Sequence, residues 1–189
     1  MKNLKDIILE HFKYSKFSIV ERLHINKDTG NQQYNYHPKT KEELSKLIYQ
    51  LLDERGDDAN LNDIDTSEIT DMRHMFYYSN FNGDISEWNV SNVKDMTGMF
   101  RESKFNGDIS SWNVSNVKYI AGMFWDSSFT SKNGDISNWD VSNVEYMSFM
   151  FKHSKFNGDI SKWDVSNVKD MGEMFNESPL EKNPPKWYK

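Results

Sequence analysis

The stretch GDISEWNVSNV, residues 83–93, determines the fold class because it recurs along the chain. The later copies are GDISSWNVSNV at 107–117, GDISNWDVSNV at 134–144 and GDISKWDVSNV at 158–168, so the copies begin 24, 27 and 24 residues apart. A repeat of this length is typical of proteins in which successive coils stack and share one core. A degenerate copy precedes these four, and its apolar residues fall on the same positions: Leu61, Ile64, Ile69, Met72, Met75 and Phe76.

The residues within one unit predict its local structure. Asp84 to Ser86 predicts a short strand with Ile85 pointing inward and its polar neighbours outward. After Val90 the apolar residues follow at +3, +6, +9 and +10, a helical spacing, and Ser91 is placed as the N-cap. We therefore expect an α/β repeat, a short solenoid of about five strand-turn-short-helix units of 24 residues each.

The repeated phrase W-[ND]-V-S-N-V-x-x-M-x-x-M-F, with F-N-G-D-I-S following, resembles the BspA-like leucine-rich-repeat surface proteins. Repeats of this family are common in mycoplasmas and Bacteroidales and also occur in short phage-encoded proteins. The resemblance covers about residues 60–178. It implies a right-handed, leucine-rich-repeat-like solenoid that binds other macromolecules, adhesion included, and it implies no enzymatic activity.

The start of the sequence differs from that of the surface proteins. Asp6, Glu10 and His11 fall where a signal peptide would have an uninterrupted apolar stretch, so no secretion signal is predicted. We expect a cytoplasmic or virion-associated protein, and the cell surface is the alternative.

Three parts are predicted along the chain. Residues 1–56 form an N-terminal helical cap with a hairpin, residues 57–178 form the repeat solenoid, and residues 179–189 form a C-terminal cap or tail. An independent docking domain is the alternative for the first part. In the last part Trp187 and Tyr188 are expected to fold back over the final unit, and a free aromatic tail that binds a partner is the alternative.

The N-terminal part has two predicted helices. The second has clear end signals, with Thr40 and Glu43 as a capping box and Gly56 just past the end. A hairpin around the turn-rich residues 26–31 is expected between the helices. The apolar stripes are Leu4, Ile7, Ile8 and Phe12 in the first helix and Leu44, Leu47, Ile48, Leu51 and Leu52 in the second.

Composition limits the classes of function. The chain has no cysteine and a mean hydropathy of -0.83, and it has no long apolar run, so neither a disulfide framework nor membrane insertion is expected. Residues 1–56 have a net charge of +2 and residues 57–189 have a net charge of -8. An acidic array repels nucleic acid and attracts a partner with a basic surface.

No catalytic or metal-binding pattern is present among the histidines. None of the five is spaced with a serine or carboxylate in a recognisable nucleophile or metal motif, so we expect no enzyme, no metal and no cofactor. These residues are His11, His24, His37, His74 and His153.

Two side-chain columns repeat in every full copy. The tryptophans suggest either buried packing or a platform for sugar rings, and constant recurrence favours packing. The aspartates suggest either a cation site or turns in which each carboxylate accepts backbone N–H bonds, and the position after Asn-Gly favours turns. The columns are Trp88, Trp112, Trp139 and Trp163, and Asp84, Asp108, Asp135 and Asp159.

A binding surface is expected where the copies differ. Tyr119 and Tyr146 replace the aspartates of the flanking copies, Trp125 replaces a polar residue and Phe149 replaces a glycine. Tyr146 and Phe149 share a predicted helical face with His153, and Tyr119 should lie beside Tyr146. Aromatic clusters are typical of interfaces. The alternative is that Phe149 merely fills the space over a glycine and supports the nearby insertion.

These patterns predict a non-catalytic protein–protein interaction module. A carbohydrate-binding or adhesive protein at a cell or virion surface is the alternative, in which a glycan would be the ligand. An enzyme is the least favoured of the three because no catalytic constellation is found.

Overall fold

The computed structural model describes residues 34–130 and 132–189. Within them lie one α-helix, α1 (Lys41–Arg55), and one 3₁₀ helix (Pro179–Glu181). The predicted first helix, and all of the predicted hairpin except residues 34–37, lie outside the described residues. Within the two described ranges, no helix has both the length and the apolar character needed to cross a membrane.

Helix α1 begins and ends at the predicted signals. The Thr40 side chain accepts a hydrogen bond from the Glu43 N–H at 3.2 Å, and the Gly56 N–H donates to the Leu52 carbonyl at 3.0 Å. These bonds satisfy backbone groups that a helix end leaves free. The apolar face of α1 is buried in the same core as the repeats through Leu44, Leu47, Ile48 and Leu51.

The segment before α1 pairs with the first repeat. The Asn35 N–H donates to the Asp63 carbonyl at 2.8 Å, and Tyr36 forms a parallel bridge with Ile64. Arg55 at the end of α1 contacts the Asp63 carboxylate at 2.9 Å. Residues 34–56 thus cover one end of the repeat core. Whether residues 1–56 as a whole are a cap or a docking domain stays a prediction.

The repeats form five coils, which we number from the aspartate or asparagine at which each begins: Asn60, Asp84, Asp108, Asp135 and Asp159. The prediction of an α/β, leucine-rich-repeat-like solenoid of strand-turn-short-helix units was wrong. Between Gly56 and Ser178 the described residues contain no helix and no strand longer than an isolated bridge. The coils consist of turns.

The segments predicted as short helices are runs of overlapping turns. In coil 2 the Met99 N–H donates to the Met96 carbonyl and the Arg101 N–H donates to Gly98, each at 3.1 Å. Gly98 and Glu102 have φ of 60° and 55°, outside the right-handed region that a helix requires. Positive φ recurs at these two positions in every coil. A run of such turns also places apolar residues three apart, which is why the spacing resembled that of a helix.

The segments predicted as strands are turns as well. The Asp84 carboxylate accepts the Ser86 N–H at 3.0 Å, and the Trp88 N–H donates to the Ile85 carbonyl at 3.1 Å. A side chain that binds a backbone N–H two residues on competes with a strand ladder. Only Asp84 retains a bridge in this column, to Asn60.

Hydrogen bonds between coils run along the stack through the segments that we call turn segments. These are residues 71–78, 95–102, 119–126, 146–153 and 170–177. Every second N–H of one turn segment donates to a carbonyl of the next. In coil 2 these donors are Met96, Gly98, Phe100 and Glu102, and their acceptors in coil 3 are Tyr119, Ala121, Met123 and Trp125, at 2.7 to 2.9 Å.

The core consists of stacked aromatic columns parallel to the stack. One column of phenylalanines has ring centroids 5.6 to 6.0 Å apart: Phe76, Phe100, Phe124, Phe151 and Phe175. A second column packs beside it: Phe81, Phe105, Phe129 and Phe156. At the end of the stack Trp187 stacks on Trp163 at 6.5 Å, and Tyr188 contacts Phe175 edge-on at 4.9 Å. The tail therefore folds back over coil 5.

Candidate interaction surface

Two tyrosines form a stacked pair on the outside of coils 3 and 4. The Tyr119 and Tyr146 rings lie 5.4 Å apart at 12°, and parallel bridges align their backbones with Asp95 before and Asp170 after. Tyr119 is 38% exposed, one of the two most exposed large hydrophobic residues among those described. The repeat register thus places these rings together, as the sequence predicts.

A second pair lies in the same turn segments. The Trp125 and Phe149 rings stack at 5.5 Å and 25°. Arg101 from the preceding coil places its guanidinium 3.7 Å from the centre of the Trp125 ring, and Lys152 lies 5.3 Å from that of Phe149. Contacts between cations and aromatic faces are attractive, so these cations hold the rings in place. We call Tyr119, Trp125, Tyr146 and Phe149 the aromatic surface.

His153 does not join the aromatic surface through a helical face, because no helix is present there. It has a φ of 55°, and its Nε2 lies 3.7 Å from the Glu177 carboxylate of the next coil. Among the ring contacts of the described residues, none involves His153 and none links the two stacked pairs. The prediction of one face at i, i+3 and i+7 was wrong for this reason.

The sequence interpretation missed a mixed column of cations and rings. Tyr77, Arg101, Trp125 and Lys152 occupy one position in successive coils, and Arg101 lies between the rings of Tyr77 and Trp125, at 5.6 and 3.7 Å. Lys152 lies 5.7 Å from the centre of the Trp125 ring. Aligning the copies at this position, and not only at the departures from consensus, would have revealed the column.

Phe149 occupies a position that favours glycine. Its φ is 58°, whereas Gly98 and Gly122 occupy this position in coils 2 and 3. A left-handed conformation costs a residue with a side chain about 1–2 kcal/mol. The Phe149 ring rests on Trp125, three residues after Gly122. In the structure the Phe149 ring therefore does more than fill the space over Gly122, because it stacks on Trp125.

The repeated tryptophans are buried and hydrogen-bonded. Each ring is 3 to 5% exposed, and each Nε1 donates to a carbonyl of the preceding coil, as Trp139 does to Ile109 at 3.2 Å. Trp187 extends the series by donating to Ile160 at 3.0 Å. Buried rings cannot serve as a sugar platform. The column is Trp88, Trp112, Trp139 and Trp163.

Each carboxylate of the aspartate column closes a local turn. Asp84, Asp108, Asp135 and Asp159 accept the N–H of the serine two residues on, at 2.8 to 3.0 Å. In the described part of the chain, no group of three or more acidic, histidine or cysteine side chains is placed to hold a metal ion. The turn interpretation accounts for these contacts.

We expect calcium to leave the melting temperature unchanged, because the carboxylates already bind backbone donors. A calcium site would raise the melting temperature by mass action, and EDTA would lower it. Thermal unfolding with millimolar calcium and with EDTA tests this expectation. A shift of several degrees in either direction would contradict the turn interpretation.

Acid should destabilise the fold through two of these aspartates, Asp84 and Asp159. Burial raises the pKa of Asp84, but hydrogen bonds from Ser86 outweigh burial and lower it below the ordinary 3.8; the Ser161 N–H lowers the pKa of Asp159. A carboxyl group whose pKa is lower in the folded state stabilises the fold above 3.8 and loses that contribution as pH falls through its folded pKa.

The melting temperature should therefore fall below about pH 4. An Asp84→Asn, Asp159→Asn variant should show a smaller fall, since an asparagine carbonyl accepts the same bond without titrating. Asn60, which accepts the Asn62 N–H at 2.9 Å, is a natural example. Melting curves at neutral and acid pH make the comparison, and an equal acid-induced loss in both proteins would contradict the assignment.

A protein family of unknown function matches most of the chain. The family model described as "Mycoplasma protein of unknown function, DUF285" matches residues 43–133 and 127–188, which include most of α1, all five coils and most of the tail. No curated protein and no solved structure matches the chain. The chain therefore belongs to the DUF285 family.

Proposed function

We propose that this protein is a non-catalytic interaction module whose aromatic surface binds another protein. The observation that supports this proposal most is the Tyr119–Tyr146 pair, which stands outside the core where the flanking coils have Asp95 and Asp170. Stacking of the coils does not require rings at this position, because aspartates fill it elsewhere. Exposed aromatic rings are enriched at protein interfaces.

The arrangement of the rings favours a protein over a glycan. Sugars stack on a free ring face, but Arg101 from the preceding coil and Phe149 from the following coil both lie against Trp125. Tyr119 and Tyr146 each cover a face of the other. Trp125 therefore offers mainly its edge, and each tyrosine has one face covered; ring edges pack well against apolar and aromatic side chains.

Charge supports a partner with a basic surface. Residues 57–189 have a net charge of -8, and near the Tyr119–Tyr146 pair Lys118 and Lys169 share the Glu145 carboxylate. Electrostatic attraction of this kind is screened by salt. Binding should therefore weaken as the ionic strength rises.

The relation to BspA-like proteins belongs to the same proposal. It is supported by the phrase W-[ND]-V-S-N-V-x-x-M-x-x-M-F, which the chain shares with those repeats. If the kinship extends to function, binding of macromolecules is the shared property. A glycan array with the intact chain is the test that would favour the adhesive alternative over a protein partner.

The double variant Tyr119→Asn, Tyr146→Asn tests the proposed surface. The fold should tolerate it, because Asp95 and Asp170 at the same position each accept the N–H two residues on at 2.9 Å, and asparagine can do the same. We expect the melting temperature to stay within a few degrees of the parent. Partner capture from the native host, quantified by mass spectrometry, should be lost for the variant.

Tyr78→Asn is the matched control. Tyr78 is also 38% exposed but lies in coil 1, outside the aromatic surface, and its φ of 53° is one that asparagine adopts readily. This variant should capture the same proteins as the parent. Equal capture by a folded Tyr119→Asn, Tyr146→Asn protein would exclude this surface.

A further inference from the structure

The last coil leaves a row of backbone donors without partners. In coil 4 the N–H groups of Met147, Phe149, Phe151 and His153 donate to coil 5 at 2.9 Å. The equivalent N–H groups of coil 5 donate to no other residue in the described part of the chain. These groups are Met171, Glu173, Phe175 and Glu177. Within the described residues, the turn segment of coil 5 thus presents a row of unpaired backbone donors at this end of the stack.

Apolar side chains beside this edge are only partly covered. Val141, Val144 and Met147 of coil 4 are at most 1% exposed. Their equivalents in coil 5, Val165, Val168 and Met171, are only partly buried. The surface that a further coil would cover is therefore open to solvent on this side.

The tail replaces only half of a further coil. Trp187 supplies the ring that stacks on Trp163, and Tyr188 covers Phe175. The Trp187 Nε1 donates to Ile160, as the other tryptophans do to their preceding coils. No residue of the described tail accepts a hydrogen bond from the turn segment of coil 5. The tail therefore covers the part of coil 5 that contains Trp163. It leaves the part that contains Val168 and Met171 only partly covered.

We propose that this edge binds a segment of another polypeptide that supplies a row of backbone carbonyls and apolar side chains in the pattern of the repeat itself. An unpaired edge is a template for pairing with another chain, and main-chain bonds supply affinity in this mode of recognition. The four interfaces between coils show what kind of segment can pair with such a row of donors. At each of them an apolar turn segment offers alternate carbonyls to the same donors.

The acidic side chains at this edge favour a bound segment that contains a basic residue. Asp170, Glu173 and Glu177 are exposed at this edge, whereas the nearby Lys169 is paired with Glu145. Glu177 occupies the position of Asp126 in coil 3, so a bound segment would place its equivalent residue directly over Glu177. A lysine or arginine at that point is attracted, and an acidic residue is repelled.

A synthetic peptide with the sequence of residues 114–127 and the change Asp126→Lys is the probe. In the protein this segment accepts the four donors of coil 2. Amide hydrogen exchange of the full chain, followed by NMR, reports on Met171, Glu173 and Glu177, with Met147, Phe149 and His153 as internal references. In the free chain we expect the first three to exchange at least about 100-fold faster than the references.

Millimolar peptide should slow these three amides about tenfold or more, and the unmodified sequence with Asp126 should slow them less. A scrambled peptide of the same composition should have no effect. The proposal is overturned if the three amides are already as protected as the references in the dilute free chain, or if the designed peptide slows them no more than the scrambled one. Slowing caused by a higher concentration of the chain alone would assign the edge to a second copy and overturn the occupant proposed here.

Discussion

Replacing Trp139 with alanine is expected to lower the free energy of unfolding by about 3–5 kcal/mol. The ring is 5% exposed and belongs to the continuous core, in coil 4 of the five-coil stack. Its removal also leaves the Ile109 carbonyl without the Nε1–H donor at 3.2 Å. Because a domain of this size has a stability of only about 5–15 kcal/mol, the variant should unfold at a much lower temperature.

Trp139→Phe is the control, since it retains most of the apolar volume and removes the donor. Its free energy of unfolding should fall by about 1–3 kcal/mol, because a buried acceptor is left unpaired. The lost side-chain volume should contribute less. Denaturant unfolding measures both variants. If Trp139→Ala unfolds like the parent, the tryptophan column is not part of the core.

Phe124→Ala should have an effect of similar size, about 3–5 kcal/mol. The Phe124 ring is fully buried and stacks between Phe100 and Phe151, each 5.7 Å away, with Phe129 at 4.3 Å. In a stack, each coil is stabilised mainly by its neighbours, so a loss at the centre weakens both adjacent interfaces. The unfolding transition should therefore become broader as well as shift to lower denaturant.

Phe124→Leu keeps an apolar side chain at this position and should cost clearly less than the alanine variant. Circular dichroism and tryptophan fluorescence, followed through the same denaturant titration, would reveal whether the two halves separate. A Phe124→Ala protein with an unchanged, sharp transition would contradict the account of a continuous phenylalanine column.

The sequence was sufficient to predict which positions stack but not the backbone that connects them. The spacing of the copies identifies buried residues such as Ile85, Trp88 and Val93, because a recurring position must serve every interface. It does not distinguish a helix from a run of turns, since both place apolar residues about three apart. Positive φ at residues such as His74 and Glu173 leaves no sign in side-chain identity; only Gly98 and Gly122 give a hint.

The contacts of the candidate site could be predicted only in part, because the sequence indicates which positions stack but not the backbone that connects them. Tyr119 lies beside Tyr146 because the register alone determines that contact. Arg101 and Lys152 were missed because their contribution depends on which side chain the adjacent coil places over them, and this becomes visible only when the copies are aligned at that position. The grouping of His153 with Tyr146 on one helical face assumed a helical period, which the backbone does not have. The place of His153 in a binding site stays a prediction.

The most direct test of the central claim is the affinity of the captured partner for three purified proteins: the parent, Tyr119→Asn with Tyr146→Asn, and Tyr78→Asn. Isothermal titration should show that the double variant loses about 2 kcal/mol or more of binding free energy, roughly 30-fold in Kd, with its melting temperature unchanged within a few degrees. Tyr78→Asn should bind like the parent. Equal affinities for the parent and a folded double variant, or an equal loss for Tyr78→Asn, would contradict the assignment of the aromatic surface as the binding site.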